Sequence, residues 1–184
     1  NRYFDVFIEY AKGSPEDMLI QITAHNRGPE EAEIDLLPTF WFRNTWSWTE
    51  GVSKPMLRGL SKDGRSMAVA QYTDPLIADS LSEYHIYFDG DVPLLFTENE
   101  TNCEKLFDSP SASQFVKDGI NACVVNGEKH LVNPAMTGTK MSAHYKMRLP
   151  SGSSKTIKLR FSGTESGAPM KDFDDVMALR LSEA

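Results

Sequence analysis

Short segments with the pattern of β-strands, each ended by glycine, proline or asparagine, recur along most of this chain. Met18 to His25 is the clearest, because apolar and polar side chains alternate there with the period of two expected of a half-buried strand. Many short strands divided by turn residues predict a mainly β fold, an antiparallel β-sandwich. The other segments of this kind are Tyr3 to Tyr10, Ile34 to Phe42, Ser66 to Tyr72, Tyr84 to Phe88, Pro93 to Thr97, Ala122 to Asn126, Ser142 to Leu149 and Thr156 to Phe161.

The turns between these segments indicate which strands are neighbours. Turn residues follow Tyr3 to Tyr10 and separate Met18 to His25 from Ile34 to Phe42, so we expect these segments to form an antiparallel hairpin. Pro150 to Ser154 predicts a hairpin connection between the last two strands. Pro38 has no amide hydrogen to give to a ladder, so Ile34 to Phe42 is expected at a sheet edge or a bulge.

One long segment departs from the strand pattern. Thr97 to Lys140 is rich in asparagine, aspartate, serine, glycine and proline, and it contains only short apolar patches. We expect a long loop-rich excursion from the sheet, with a single helical turn over Ser111 to Lys117. Loops of this length in a compact domain usually carry a function or belong to an interface, so this is where a site is expected.

The last residues have a helical pattern. Phe173, Val176 and Met177 recur at helical spacing, and acidic residues stand at the start, where the helix dipole favours negative charge. We expect residues 1–168 to form the sandwich domain and residues 169–184 to be a helix. The apolar stripe of this helix has no evident partner in the sequence, and both ends look cut, so we expect the natural protein to continue.

Composition excludes several function classes. The formal net charge is −7, and lysine and arginine are not clustered, which argues against nucleic acid as a partner. No apolar run approaches the ~20 residues of a membrane-spanning helix. Cys103 and Cys123 lie in no metal or redox motif, and the four histidines have no metal-ligand spacing, so no cofactor is expected. Free thiols are favoured over a disulfide and, with no signal segment, suggest a cytoplasmic location.

Aromatic residues are concentrated between Phe40 and Trp48, which includes all three tryptophans of the chain. Aromatic faces stack on sugar rings, and Arg43 and Asn44 could bond hydroxyl groups, so Trp46 and Trp48 are candidates for carbohydrate contact. The alternative, favoured by spacing alone, is that these aromatic side chains fill the sandwich core and that Arg43 holds a neighbouring carboxylate.

A second polar group follows one of the predicted strands. In a continued strand, Glu98, Glu100 and Asn102 would share one face, with Asn99 between them, and could bind hydroxyls or position a partner loop. The two glutamates do not form a convincing catalytic pair, because inverting glycosidases place carboxyl groups about 6.5–9.5 Å apart across a cleft. A turn or cap network is the favoured alternative. No serine nucleophile motif occurs, and we find no self-contained catalytic machinery.

Several stretches taken together resemble bacterial proteins related to mannosyl-oligosaccharide glucosidase, in glycoside hydrolase family 63. The resemblance extends over nearly the whole chain, and it rests on the order and number of short motifs. These are Tyr3-Phe4-Asp5-Val6-Phe7-Ile8-Glu9-Tyr10-Ala11-Lys12, Asn26-Arg27-Gly28-Pro29, Leu37-Pro38-Thr39-Phe40-Trp41-Phe42-Arg43-Asn44-Thr45-Trp46-Ser47-Trp48, Glu98-Asn99-Glu100-Thr101-Asn102, Lys117-Asp118-Gly119-Ile120 and Gly138-Thr139-Lys140.

The resemblance implies an N-terminal super-β-sandwich that is joined to a C-terminal (α/α)6 barrel. The barrel would hydrolyse α-glucosidic bonds with inversion, using acidic residues beyond Ala184, so no catalytic residue is assigned to this chain. The sandwich would pack on the barrel, with Arg43-Asn44 and Glu98 to Asn102 as candidates for the interface or for outer contacts with an α-glucoside or oligosaccharide. The parent protein would be a bacterial cytoplasmic enzyme. The alternatives are a stand-alone carbohydrate-binding module and an interaction domain without sugar contact.

Overall fold

Strands dominate the computed structural model, which describes residues 1–48, 51–62, 64–72 and 83–184. The fold is mainly β and antiparallel, with a C-terminal helix, as the strand pattern predicts. The strands are β1 Phe4–Ser14, β2 Asp17–Asn26, β3 Ala32–Leu36, β4 Thr39–Trp41, β5 Met56–Lys62, β6 Arg65–Gln71, β7 Tyr84–Phe88, β8 Leu94–Thr97, β9 Thr137–Gly138, β10 Lys140–Ala143, β11 Tyr145–Leu149 and β12 Ser154–Ser162. The helices are α1 Cys103–Phe107, α2 Gly119–Asn126 and α3 Phe173–Glu183, with a 3-10 turn at Lys129–Leu131.

The larger layer is a seven-stranded sheet in the order β1-β2-β12-β7-β6-β5-β9. Ile22 pairs with Ile8 on one side and with Ile157 on the other, so apolar side chains form a row across the first three strands. Ile22 and Ile157 are buried. The alternation in β2 therefore identifies the face of this sheet that lies against the core.

The smaller layer consists of two sheets, a three-stranded one in the order β4-β10-β8 and a two-stranded one formed by β11 and β3. Buried side chains from both layers form one apolar cluster, which makes the arrangement a sandwich with a shared core. Its members are Ile22, Ala24, Leu36, Leu57, Ala68, Ile86, Phe88, Phe96, Met141, Ala143, Tyr145, Met147, Leu149, Ile157 and Leu159.

The predicted hairpin between the last two strands is wrong. β11 pairs with β3, whereas β12 pairs with β2 and β7 in the other layer. The turn at Pro150 to Ser154 thus carries the chain from one sheet to the other. The expected hairpin forms between β1 and β2, which pair along their length, but Ile34 to Phe42 takes no part in it, because β3 pairs with β11 and β4 pairs with β10. Pro38 divides the predicted segment Ile34 to Phe42 into β3 and β4, which lie in different sheets.

The excursion contains helices where the sequence predicts other structure. The expected strand Ala122 to Asn126 is the second part of α2, and Gly127 ends that helix in a left-handed conformation with φ of 74°. The turn at Asn126-Gly127 is thus a helix cap and not a hairpin turn. The helical turn expected over Ser111 to Lys117 is not helical, and the helices lie on either side of it.

The predicted C-terminal helix is present, but it begins at Phe173 and not at residue 169, and its apolar stripe has a partner. Phe173 is fully buried against Ala11 and Leu19 on the outer face of the large sheet, and Val176 and Met177 pack beside it. Arg160 donates to Asp17 and to the carbonyl of Pro169 and also binds Asp172, which fixes the segment that leads into the helix. The expectation of an unpartnered stripe is therefore wrong for the first half of α3.

Candidate functional site

The topology of the three-stranded sheet brings the two predicted site segments together. β4 and β8 both run antiparallel to the central strand β10, so they run parallel to each other. Their last residues lie opposite the same partner, because Trp41 and Thr97 both pair with Lys140. The chain that follows β4 and the chain that follows β8 therefore leave the sheet at one edge, on the two sides of β10.

Glu100 connects the two segments. Its Oε2 accepts a hydrogen bond from Asn44 Nδ2 at 2.7 Å, and its Oε1 accepts one from Trp46 Nε1 at 2.8 Å. Asn44 Nδ2 also donates to the carbonyl of Asn99 at 3.2 Å. Hydrogen bonds to an ionised carboxylate are among the stronger ones in proteins, so this carboxylate fixes the position of the Trp46 indole.

Glu98 and Asn99 are held by Thr139, which is buried and directly precedes β10. Thr139 Oγ1 donates to Glu98 Oε2 at 2.6 Å and accepts from the backbone N–H of Asn99 at 2.8 Å. Lys54 Nζ lies 2.9 Å from the same Glu98 oxygen, and Asn99 Nδ2 donates to the carbonyl of Phe42 at 2.9 Å. The loop that follows β8 is thus bound to β10 and to the loop that follows β4.

Asn102 has a different role. Its Oδ1 accepts from the backbone N–H of Lys105 at 3.0 Å, which caps the N-terminus of α1. Its Nδ2 donates to the carboxylate of Asp118. The strand ends at Thr97, so the prediction that Glu98, Glu100 and Asn102 share one face of a strand is wrong. The alternative, a network of turn and cap bonds, describes these residues.

The tryptophans do not fill the core. Trp48 is 67% exposed and Trp41 is 58% exposed, whereas Trp46 is half-buried. The Arg43 guanidinium lies 5.2 Å from the centre of the Trp48 ring, in a cation–π contact, and among the described residues no carboxylate forms an ion pair with it. Lys54 Nζ lies 5.9 Å from the Trp46 ring. The core interpretation is therefore wrong for Trp41 and Trp48, whereas Phe40 and Phe42 of the same segment pack against the core cluster.

A hydrogen-bond acceptor in this network lacks a donor. Asn44 Oδ1 is buried, and among the described residues no donor reaches it. The amide orientation is fixed by the two acceptors that Nδ2 faces, so the oxygen cannot be exchanged for the nitrogen. A buried acceptor without a partner is uncommon, and a hydroxyl group or a water molecule could supply the missing bond.

The electrostatics favour binding over acid–base chemistry. Both oxygens of Glu100 accept hydrogen bonds, and Glu98 is neutralised by Lys54. Lys140 donates to the carbonyl of Lys117, and burial lowers the pKa of this lysine, as does the neighbouring positive charge of Lys117. A group that transfers protons needs an accessible atom, and the bonded oxygens of Glu100 do not offer one. The arrangement is suited to holding the Trp46 indole and the Asn44 amide in fixed positions.

Two cavities of the domain lie outside residues 40–48 and 97–102. One of about 340 Å³ lies on the outer face of the large sheet, between Tyr87 and Met170, and an adjoining one is lined by Arg160 and Lys171. Neither is lined by residues 40–48 or 97–102. A further cavity, of about 270 Å³, is lined by Asn102 and Asp118, whereas Trp41 and Trp48 of the candidate site are exposed. Among the described residues, no group of three or more His, Cys, Asp or Glu could hold a metal ion. No helix of the described part of the chain is long and apolar enough to cross a membrane.

Three further residues of this network have no signal in the sequence as site residues. Thr139 and Lys54 bind Glu98, and Asp118 binds Asn102. Thr139 and Asp118 lie in two of the stretches that carry the resemblance, but a single threonine or aspartate in a loop does not identify its partner. The free cysteines Cys103 and Cys123 lie on α1 and α2 and take no part in these bonds.

No family model matches this sequence. The chain is similar to a protein of Saccharomyces cerevisiae, Uncharacterized protein YMR196W, with 31% identity over 192 residues. This alignment covers 93% of the chain but only 18% of the yeast protein. In that relative, the sandwich is therefore one part of a much longer polypeptide.

Proposed function

We propose that this chain is the non-catalytic N-terminal domain of an α-glucosidase-type glycoside hydrolase, which packs on the catalytic (α/α)6 barrel. The loops that follow β4 and β8 would form part of the rim of the substrate site, where an α-glucoside or oligosaccharide binds. The observation that carries the proposal is the fixed network around Glu100, which holds Asn44 and Trp46 in the loop that also carries the exposed Trp48.

Three features support the assignment. Short motifs along nearly the whole chain resemble, in their order and number, those of glycoside hydrolase family 63. Aromatic rings beside Arg43 and Asn44 are the chemical groups that contact sugar rings and hydroxyls. The carboxylates of Glu98 and Glu100 are engaged in bonds within the domain, which agrees with catalysis by acidic residues outside it.

The length of the yeast relative also supports the proposal of a domain within a larger enzyme. A segment that matches 93% of this chain occupies 18% of that protein, which leaves ample length for a catalytic barrel. We infer that the parent protein is a bacterial cytoplasmic enzyme, and the free thiols of Cys103 and Cys123 agree with a reducing compartment.

The test uses the full-length protein and measures hydrolysis of α-glucosides. Trp48→Ala should raise KM or lower kcat/KM with little change in thermal stability, because the Trp48 ring is largely exposed. Leu106→Ala, at another exposed apolar residue of the excursion, is the control and should leave the kinetics unchanged. Hydrolysis with the same kinetic constants in Trp48→Ala and in the unaltered enzyme would exclude the loop that follows β4 from the substrate site.

A stand-alone carbohydrate-binding module is the second candidate, favoured by the exposure of Trp41 and Trp48. It predicts that the 184-residue chain alone binds α-glucosides, and that Trp48→Ala abolishes this binding. Isothermal titration calorimetry distinguishes the two functions. The domain of a larger enzyme should give no measurable heat of binding by itself, since the barrel supplies the rest of the site.

A further inference from the structure

The core-facing side of β1 is progressively uncovered along the strand. Phe4, Val6, Ile8 and Tyr10 lie on the face that holds Ile22 and Ala24 in the next strand, because Ile8 pairs with Ile22. Phe4 packs against the core cluster, but Val6 is 43%, Ile8 52% and Tyr10 66% exposed. The smaller layer of the sandwich therefore covers the beginning of β1 and no more of it. We name Val6, Ile8 and Tyr10 the β1 row.

An uncovered row of this kind is unusual for an edge strand. β1 has eleven residues and, within the described part of the chain, it pairs on one side only, with β2. Isolated domains usually protect such edges with charged residues that point inward, with proline or with short strands. The charged residues Asp5 and Glu9 instead lie on the opposite face, where they bind Arg27 and Gln21. Contiguous apolar side chains at an unprotected edge indicate an interaction surface.

We propose that the β1 row is the surface on which the catalytic domain of the same polypeptide docks; this rests on the proposed function. The segment equivalent to this chain makes up 18% of the yeast relative, so most of that polypeptide lies outside the sandwich. Ala184 and Tyr10 line one groove, although α3 lies on the other face of β1, so a segment that followed Ala184 would start next to the Tyr10 end of the row. The net charge of −7 disfavours the alternative occupant, a second copy of this chain.

The docking surface is distinct from the loops that follow β4 and β8. Those loops leave the edge of the three-stranded sheet in the smaller layer, whereas the row lies at the free edge of the seven-stranded sheet. A barrel that contacts the row would extend the core of the sandwich with apolar side chains of its own. Burial of the row would stabilise the domain pair through the hydrophobic effect.

Hydroxyl-radical labelling of the full-length protein, read by mass spectrometry, tests the proposal. Tyr3 is the internal control, since it is 51% exposed and lies outside the row. We expect Tyr10 to be protected while Tyr3 is labelled. Labelling of both tyrosines at similar rates would overturn the proposal. Protection of Tyr10 that disappears when a dimer is diluted to a monomer would also overturn it, because a second copy would then be the occupant.

A pair of variants gives a second measurement in the full-length protein. Ile8→Lys places a charge in the row, and Phe7→Lys places one at the adjacent residue, which is 51% exposed on the opposite face. Ile8→Lys should make Tyr10 accessible to labelling, and Phe7→Lys should not. An α-glucosidase assay separates the two proposals. Protection of Tyr10 without hydrolysis would support the docking surface and contradict the enzyme class. Labelling of Tyr10 in an active enzyme would support the enzyme class and contradict the docking surface.

Discussion

Replacing Glu100 by glutamine should destabilise the domain by about 2 kcal/mol, because the glutamine side chain cannot accept both hydrogen bonds of the carboxylate. Glu100 accepts from Asn44 Nδ2 at 2.7 Å and from Trp46 Nε1 at 2.8 Å. In Glu100→Gln, the amide oxygen can keep one donor, but the amide nitrogen then faces the other. A hydrogen bond to a charged group contributes about 1.5–3 kcal/mol. For a domain of this size, a loss of about 2 kcal/mol lowers the melting temperature by roughly 4–8 °C.

Thermal unfolding followed by circular dichroism measures this effect, with Glu104→Gln as the control. Glu104 is an exposed glutamate on α1, and its substitution should change the melting temperature little. The same Glu100→Gln change should cost less in a Trp46→Phe background, because the indole donor is already absent. Equal melting temperatures for Glu100→Gln and Glu104→Gln would refute the view that Glu100 holds the two loops together.

Three further predictions concern the framework of the domain. Phe173→Ala should destabilise the fold by about 3–5 kcal/mol in urea unfolding, since Phe173 is fully buried, and Leu181→Ala, at a residue that is 75% exposed, should have almost no effect. Gly138→Ala should destabilise it because the added carbon would lie 2.3 Å from the carbonyl oxygen of Thr97, whereas Gly167→Ala meets no atom within 4 Å and should be neutral. The hydrogen bond from Arg160 lowers the pKa of Asp172 from its ordinary value of 3.8. The Asp172 carboxylate therefore contributes its full stabilisation above the pKa of the unfolded chain, and this stabilisation is lost as the pH falls through the pKa of the folded protein. Urea unfolding at several pH values should therefore show acid destabilisation below about pH 4 that is smaller in Asp172→Asn.

Local patterns predict the strands and the last helix well, because burial there follows the period of a single element. The alternation in Met18 to His25 gives β2 and its buried face, and the spacing of Phe173, Val176 and Met177 gives α3. Local patterns do not predict the secondary structure correctly where contacts between residues distant in the sequence determine it. Ala122 to Asn126 has β-forming valines, but it is helical, and Gly119 at the helix start lies so close to the carbonyl of Leu131 that a side chain would not fit.

The pairing of strands is the part that the sequence does not show. The turn at Pro150 to Ser154 is recognisable, but its residues do not indicate whether the chain returns to the same sheet or crosses to the other. The candidate site depends on the same information. Asn44 and Glu100 are 56 residues apart and meet only because β4 and β8 flank β10. Their residue types suggest polar contacts, and the topology supplies the partners.

The configuration of the sugar released by the full-length protein tests the central claim most directly. Proton magnetic resonance of a fresh reaction with an α-glucoside should show β-glucose first, because an inverting glucosidase reverses the anomeric configuration. The 184-residue chain, tested in parallel, should release no glucose. Absence of hydrolysis by the full-length protein, or initial release of α-glucose, would contradict the assignment of this sandwich to an inverting α-glucosidase.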